Sequence, residues 1–197
     1  MESRSPSSDL GLAQIVEEYR LTGNIGTLID RVTAFAAHTS PEQLESAAQP
    51  YSDMPEVVIP AYERIVTERP HDAQAMVVLA NAYWLTGRGP DVVGSLAGRA
   101  KDTDSGNRGA WHLWALSEPA LRLRVERWRQ VSLKFPHDQL ARAALADNAA
   151  SLAISEDDPA ALDLAITTYE GLLDESTRPE QRTALEATLK ALRKSGR

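Results

Sequence analysis

The side chains best able to move a proton or hold a metal are four histidines, His38, His71, His112 and His137. None stands in an H-E-x-x-H or comparable ligand spacing. His71 and His137 each precede an aspartate, Asp72 and Asp138, in a repeated Pro-His-Asp tripeptide. An aspartate just ahead of a helix is an N-cap, so each tripeptide reads as a turn. Glu156, Asp157 and Asp158 could bind a cation, but acids in sequence before Pro159 read as a solvated turn. There is no cysteine, hence no thiolate nucleophile, disulfide or cysteine-bound metal. No glycine-rich phosphate loop and no G-x-S-x-G occurs. With no base, nucleophile and orienting group to assemble, the expectation is not an enzyme, with no cofactor and no metal site.

Arg122, Arg124, Arg127 and Arg129 form the one local basic cluster. They share a stretch with Leu121, Val125 and Trp128, so they are expected on the solvated outer flanks of a helix. Nucleic acid would want more positive charge and exposed aromatics around them. The 197 residues carry 21 Lys and Arg against 28 Asp and Glu, a net charge of −7, which disfavours polyanions and anionic membranes. Arginine outnumbers lysine 17 to 4, a bias that hints at a GC-rich bacterial genome. No apolar run reaches the length of a membrane span, and MESRSPSSD lacks a signal-peptide core. The expected location is cytoplasmic, or periplasmic if an anchor or signal was trimmed.

The elements that must position any site are helices at a fixed period. Met76, Leu79, Ala80 and Tyr83 share one helix face, and Gly87 follows the last turn. The same tetrad recurs as Leu12, Ile15, Val16, Tyr19; as Leu44, Ala47, Ala48, Tyr51; as Trp111, Trp114, Ala115, Glu118; and as Arg142, Leu145, Ala146, Ala149. The copies start 32, 32, 35 and 31 residues apart. Tyr19-Arg20-Leu21-Thr22-Gly23 nearly repeats Tyr83-Trp84-Leu85-Thr86-Gly87, and both glycines suit a left-handed helix end. Partner helices should bury Leu28, Val32 and Phe35; Val58, Tyr62 and Ile65; Val92 and Leu96; Val125, Trp128 and Val131; and Leu162, Ala165, Tyr169 and Leu172. Pro50 should cut short the second copy, and Pro60 should kink or delay its partner. Asp9, Ser40, Asp72 and Asp158 are the expected caps. Ser155 to Pro159 reads as an extended turn.

Helical hairpins at this period, with Met76-x2-Leu79-Ala80-x2-Tyr83 and then Val92-x3-Leu96, resemble the tetratricopeptide repeat. The resemblance implies an all-α, right-handed α-α solenoid of about five hairpins, near residues 9–37, 40–69, 72–100, 108–135 and 138–175. A capping helix over 178–194 and a disordered tail over 1–8 complete it.

In that family the first helix of each hairpin lines a groove that takes peptides or partner helices. Carried over, the groove residues are Glu17 and Arg20, Glu45 and Gln49, Gln74, Val77, Asn81 and Trp84, His112 and Leu116, and Ala143 and Asp147. The basic clamp of chaperone-binding members is missing, its matching positions being mostly Ala13, Glu45, Val77, His112 and Ala143, so a neutral or basic protein segment is the expected partner. The implied function is a non-enzymatic interaction scaffold. The alternatives are a self-associating structural or assembly protein, or the soluble domain of a bacterial assembly factor such as one for cytochrome c maturation.

Overall fold

The computed structural model describes residues 11–195. Asp9 and the expected tail over 1–8 lie outside the described residues. Among these residues the regular structure is eleven α-helices and one short 3-10 turn, with no strand. The chain divides into two compact units, the division falling between Ala110 and Trp111.

The first unit holds α1 (Leu12–Thr22), α2 (Ile25–His38), α3 (Pro41–Ala48), α4 (Pro55–Glu68), α5 (Ala73–Leu85) and α6 (Pro90–Thr103), with the start of α7 (Arg108–Leu116). Its helix ends follow the local chemistry. Ser40 accepts the Gln43 backbone N–H at 3.4 Å, and Pro41 occupies the first turn. Asp72 accepts the Ala75 N–H at 2.9 Å and starts α5. Gly23 and Gly87 have φ of 68° and 71°, the left-handed conformation a helix stop requires. At Gly87 the stop is double: the Arg88 N–H reaches the Tyr83 carbonyl at 2.9 Å and the Gly87 N–H reaches that of Trp84 at 3.1 Å. Pro50 acts as expected, α3 giving way to a 3-10 turn over Gln49–Tyr51. Pro60 does not delay α4, which starts at Pro55, five residues earlier in the sequence.

The core of this unit comes from the tetrad faces and their partners. Leu44, Ala48, Val57, Ile65, Met76 and Ala80 are all but inaccessible. Ala48 and Ala80 have almost no accessible surface, so a larger side chain there would have to displace its neighbours. The stripe of α6 differs from the expectation. Val93, Leu96, Ala97 and Ala100 are buried, whereas Val92 stays 47 % exposed. The valines adjoin in sequence, and the turn of the helix sends only one inward.

The second unit continues from Trp111 through α8 (Leu121–Lys134), α9 (Gln139–Glu156), α10 (Pro159–Glu175) and α11 (Pro179–Ser195). Its core gathers Val125, Trp128, Val131, Leu145, Ala146, Ala149, Ala165, Tyr169, Leu172, Leu189 and Leu192. The expected turn over Ser155–Pro159 is shorter, because α9 runs to Glu156. Asp157 takes the left-handed conformation at φ 51° in the place a glycine holds elsewhere. Asp158 caps α10 by accepting the Ala161 N–H at 3.0 Å.

The arginine cluster is also rearranged. Arg122 faces solvent and bridges Glu156 and Asp158 at 2.5 and 2.9 Å. Arg124 and Arg127 instead turn inward. Arg124 donates to the Glu118 carbonyl at 2.8 Å and to Asn148 Oδ1 at 2.8 Å. Arg127 donates to the Trp114 carbonyl at 2.7 Å, pairs with the buried Glu118 at 2.6 Å and lies 4.6 Å from the Trp114 ring centre. Glu118, standing where the tetrad would place an aromatic, thus anchors the α7–α8 turn.

Candidate functional site

From Ala73 to Gly87 the stretch that forms and ends α5 carries no Asp, Glu, Lys, Arg or His. One face is consumed by packing: Met76, Leu79, Ala80 and Tyr83 are buried. Tyr83 donates its hydroxyl to Glu63 Oε1 at 2.7 Å, and the Arg88 guanidinium lies 4.8 Å from its ring centre. Burial, then the hydrogen bond to Glu63, pushes the Tyr83 phenol up to about 12, so this contact stays protonated under ordinary conditions.

The other face of α5 turns outward. Gln74 is exposed and accepts a 3.3 Å hydrogen bond from the Asn107 amide. Asn107 in turn caps α7 by accepting the Ala110 N–H at 3.1 Å. Val77 is half-buried beneath the first turn of α7, where a side chain at Gly109 would come within 3.1 Å of Val77 Cγ1. A Cβ there would require Val77 to give by a few tenths of an ångström. Asn81 is exposed, Trp84 is 38 % exposed and Leu85 is 68 % exposed. Neither the Asn81 nor the Trp84 side chain has a hydrogen-bond partner among the described residues. Gln74, Val77, Asn81 and Trp84 therefore share one helix face. Its N-terminal half meets Asn107 and Gly109 at the start of α7, and the side chains of its C-terminal half are exposed.

The remaining carried-over residues have other surroundings. Arg20 is exposed on α1 and lies 3.5 Å from Glu17. Glu45 pairs with Arg69 at 2.6 Å, and Arg69 also approaches Asp72 at 3.4 Å, which ties α3 to the start of α5. In the second unit His112 places Nε2 at 2.7 Å from Asp138 Oδ2 and its ring edge-on to Trp128 at 5.4 Å. Asp138, itself buried, caps α9 through the Leu140 and Ala141 N–H groups at 3.0 and 3.2 Å. His112 thus completes a structural cap. Asp147 accepts the Tyr169 hydroxyl, and that contact together with burial raises the tyrosine pKa, burial contributing most.

Sequence reasoning did not single out Leu85 for the outward face, although the helical period puts it beside Asn81 and Trp84. Nor did it find the groove on the opposite side of α5. That groove, of about 570 Å³, lies between α4 and α6 and is walled in part by Val92. No group of three or more acidic or histidine side chains able to hold a metal occurs among the described residues. None of the described helices is long and apolar enough to cross a membrane.

No protein-family model and no curated protein matches the chain. Solved structures do. A crystal structure of MamA superposes with a TM-score of 0.58 at 14 % identity, covering 85 % of this chain and 94 % of that one. A thermophilic TPR protein from Thermus thermophilus gives a TM-score of 0.54 at 18 % identity, covering 91 % of this chain and 97 % of that one. At such identities the likeness is one of fold: an all-α array of helical hairpins of the tetratricopeptide kind.

Proposed function

We propose that this protein is a non-enzymatic interaction scaffold whose recognition surface is the outward face of α5, and that it takes a neutral or basic peptide or helical segment. The observation that carries the reading is the uncharged stretch Ala73–Gly87, which exposes Asn81, Trp84 and Leu85 on the side away from its core. A solvent-facing helix surface without charge leaves apolar area in water, and such area is the usual mark of an interface. Trp84 supplies a rigid anchor with one N–H donor. Asn81 supplies a donor and an acceptor that can pair with a partner's backbone. Because both sit on a packed helix, binding orders little of the protein.

The test is capture from a lysate of the native organism on immobilised protein, with the retained proteins identified by mass spectrometry. Asn81→Ala combined with Trp84→Ala removes two exposed side chains and should leave the helical circular dichroism unchanged while abolishing capture. Unchanged capture by the double variant would move the recognition surface elsewhere.

A further inference from the structure

Asn81 lies about 200° around α5 from both Leu79 and Tyr83, so the groove beside those two residues is a separate surface from the one just described. Its floor is Val66 of α4 with Leu79, Tyr83 and Leu96, each buried but reaching the groove. Its outer wall is the α6 face Val92, Ser95 and Arg99, spaced i, i+3, i+7. That wall faces solvent: Val92 is 47 % exposed, and Asp91 and Arg99 are both exposed.

The charges in the groove are ordered along it. Asp91 stands at the start of α6, and Arg99 stands eight residues on, about 12 Å away along the helix. Neither has a partner among the described residues. Glu63 lines the groove too and is half-exposed; it accepts the Tyr83 hydroxyl at 2.7 Å and lies 4.0 Å from the Arg88 guanidinium. An occupant must therefore offer apolar side chains to the floor, a cation toward Asp91 and an anion toward Arg99.

We infer that the α4–α6 groove docks an amphipathic helix of a partner protein, running antiparallel to α6, with acidic residues in its first turn at Arg99 and basic residues in its last turn at Asp91. The direction follows from electrostatics. Helices favour acids in the first turn and bases in the last, so only the antiparallel orientation matches both the partner's own dipole and the charges in the groove. The volume lies within the range of ligand-binding clefts.

The test uses the full chain and two short synthetic amphipathic peptides with leucines at i, i+4 and i+7. One has glutamates in the first turn and lysines in the last; the other has these charges exchanged. Fluorescence anisotropy should show saturable binding, with the first peptide several-fold tighter, as expected for partly exposed ion pairs. Val92→Asp should weaken it about tenfold by placing a charge against the apolar contact. Asp91→Lys combined with Arg99→Glu should invert the preference between the peptides. Trp84→Ala should change neither affinity. No saturable binding of either peptide, or an unchanged preference in the charge-exchanged variant, overturns the site. Loss of binding through Trp84→Ala overturns it as well, placing the peptide on the outward face of α5 and leaving that face's proposed role intact.

Discussion

The hairpins α5–α6 and α9–α10 are built to one plan with different parts. Each opens on an aspartate cap after Pro-His, at Asp72 and Asp138. Each places an alanine, Ala80 or Ala146, at the third tetrad position, and both are fully buried. In each the first helix is followed by a left-handed residue, Gly87 or Asp157. The differences lie around those fixed points. The first tetrad residue is Met76, fully buried, in one hairpin, and Arg142, ion-paired to Glu175 of the partner helix, in the other. The two hairpins share the small residue and the helix ends, while the first tetrad position is filled by an apolar side chain in one and by an ion-paired one in the other.

Exchanging the first tetrad residues breaks the comparison most sharply. Met76→Arg puts an unpaired charge in a dry site and should cost about 4 kcal/mol in a urea titration. Arg142→Met removes a half-exposed pair and a buried Nε without a partner, and should change stability by less than about 1 kcal/mol. The caps come next. Asp138 serves two amides and His112 from a buried position, so Asp138→Ala should cost about 2 kcal/mol. Asp72 serves one amide, and Asp72→Ala should cost about 1 kcal/mol.

The helix ends give smaller effects of opposite sign. Gly87→Ala forces a Cβ into the left-handed region at a cost of about 1 kcal/mol. Asp157→Gly relieves that strain and should gain about 0.5 kcal/mol, both measured by thermal unfolding.

The weakest effect is on pH. The Ala161 N–H, then the Arg122 guanidinium, hold the Asp158 carboxyl below the usual aspartate range. Its contribution is therefore present above about pH 4 and lost as pH falls through the lowered value. The protection of the Ala161 amide against hydrogen exchange, relative to its intrinsic rate at each pH, should fall in acid, and Asp158→Asn should flatten that dependence. The first turn of α6, which follows Gly89 with no side-chain cap, should show no counterpart.

What the sequence made legible were features that one residue can settle alone. Ser40, Asp72 and Asp158 cap because their side chains reach backbone amides two or three positions on. Gly23 and Gly87 stop helices because the conformation requires them. The period of the tetrads was enough for the fold. Features that depend on a choice between equals were not legible. Val92 and Val93 are the same residue type, and Gly94 and Gly98 blur the stripe that would tell them apart. Arg124 and Arg127 turn inward because carbonyls of Glu118 and Trp114 are there to receive them, and backbone carbonyls leave no mark in a sequence. The end of α9 was misread because aspartate tolerates a left-handed conformation without announcing it. Of the carried-over groove residues, Gln74, Val77, Asn81 and Trp84 share a face because they lie on one helix. The surroundings of Arg20, His112 and Asp147 depend on neighbours distant in sequence.

The distribution of tryptophans makes the protein its own optical reporter. Trp84 is alone in the first unit and half in water, while Trp111, Trp114 and Trp128 cluster in the second, with Trp128 only 4 % exposed. Emission at the red edge thus comes from one indole beside Asn81, and emission at the blue edge from the interior of the other unit. Replacing Trp84 with phenylalanine silences the first unit and leaves the second to be followed by itself. In the native chain, a bound segment that covers Trp84 shifts the red component alone, so occupancy of that face is visible without any label.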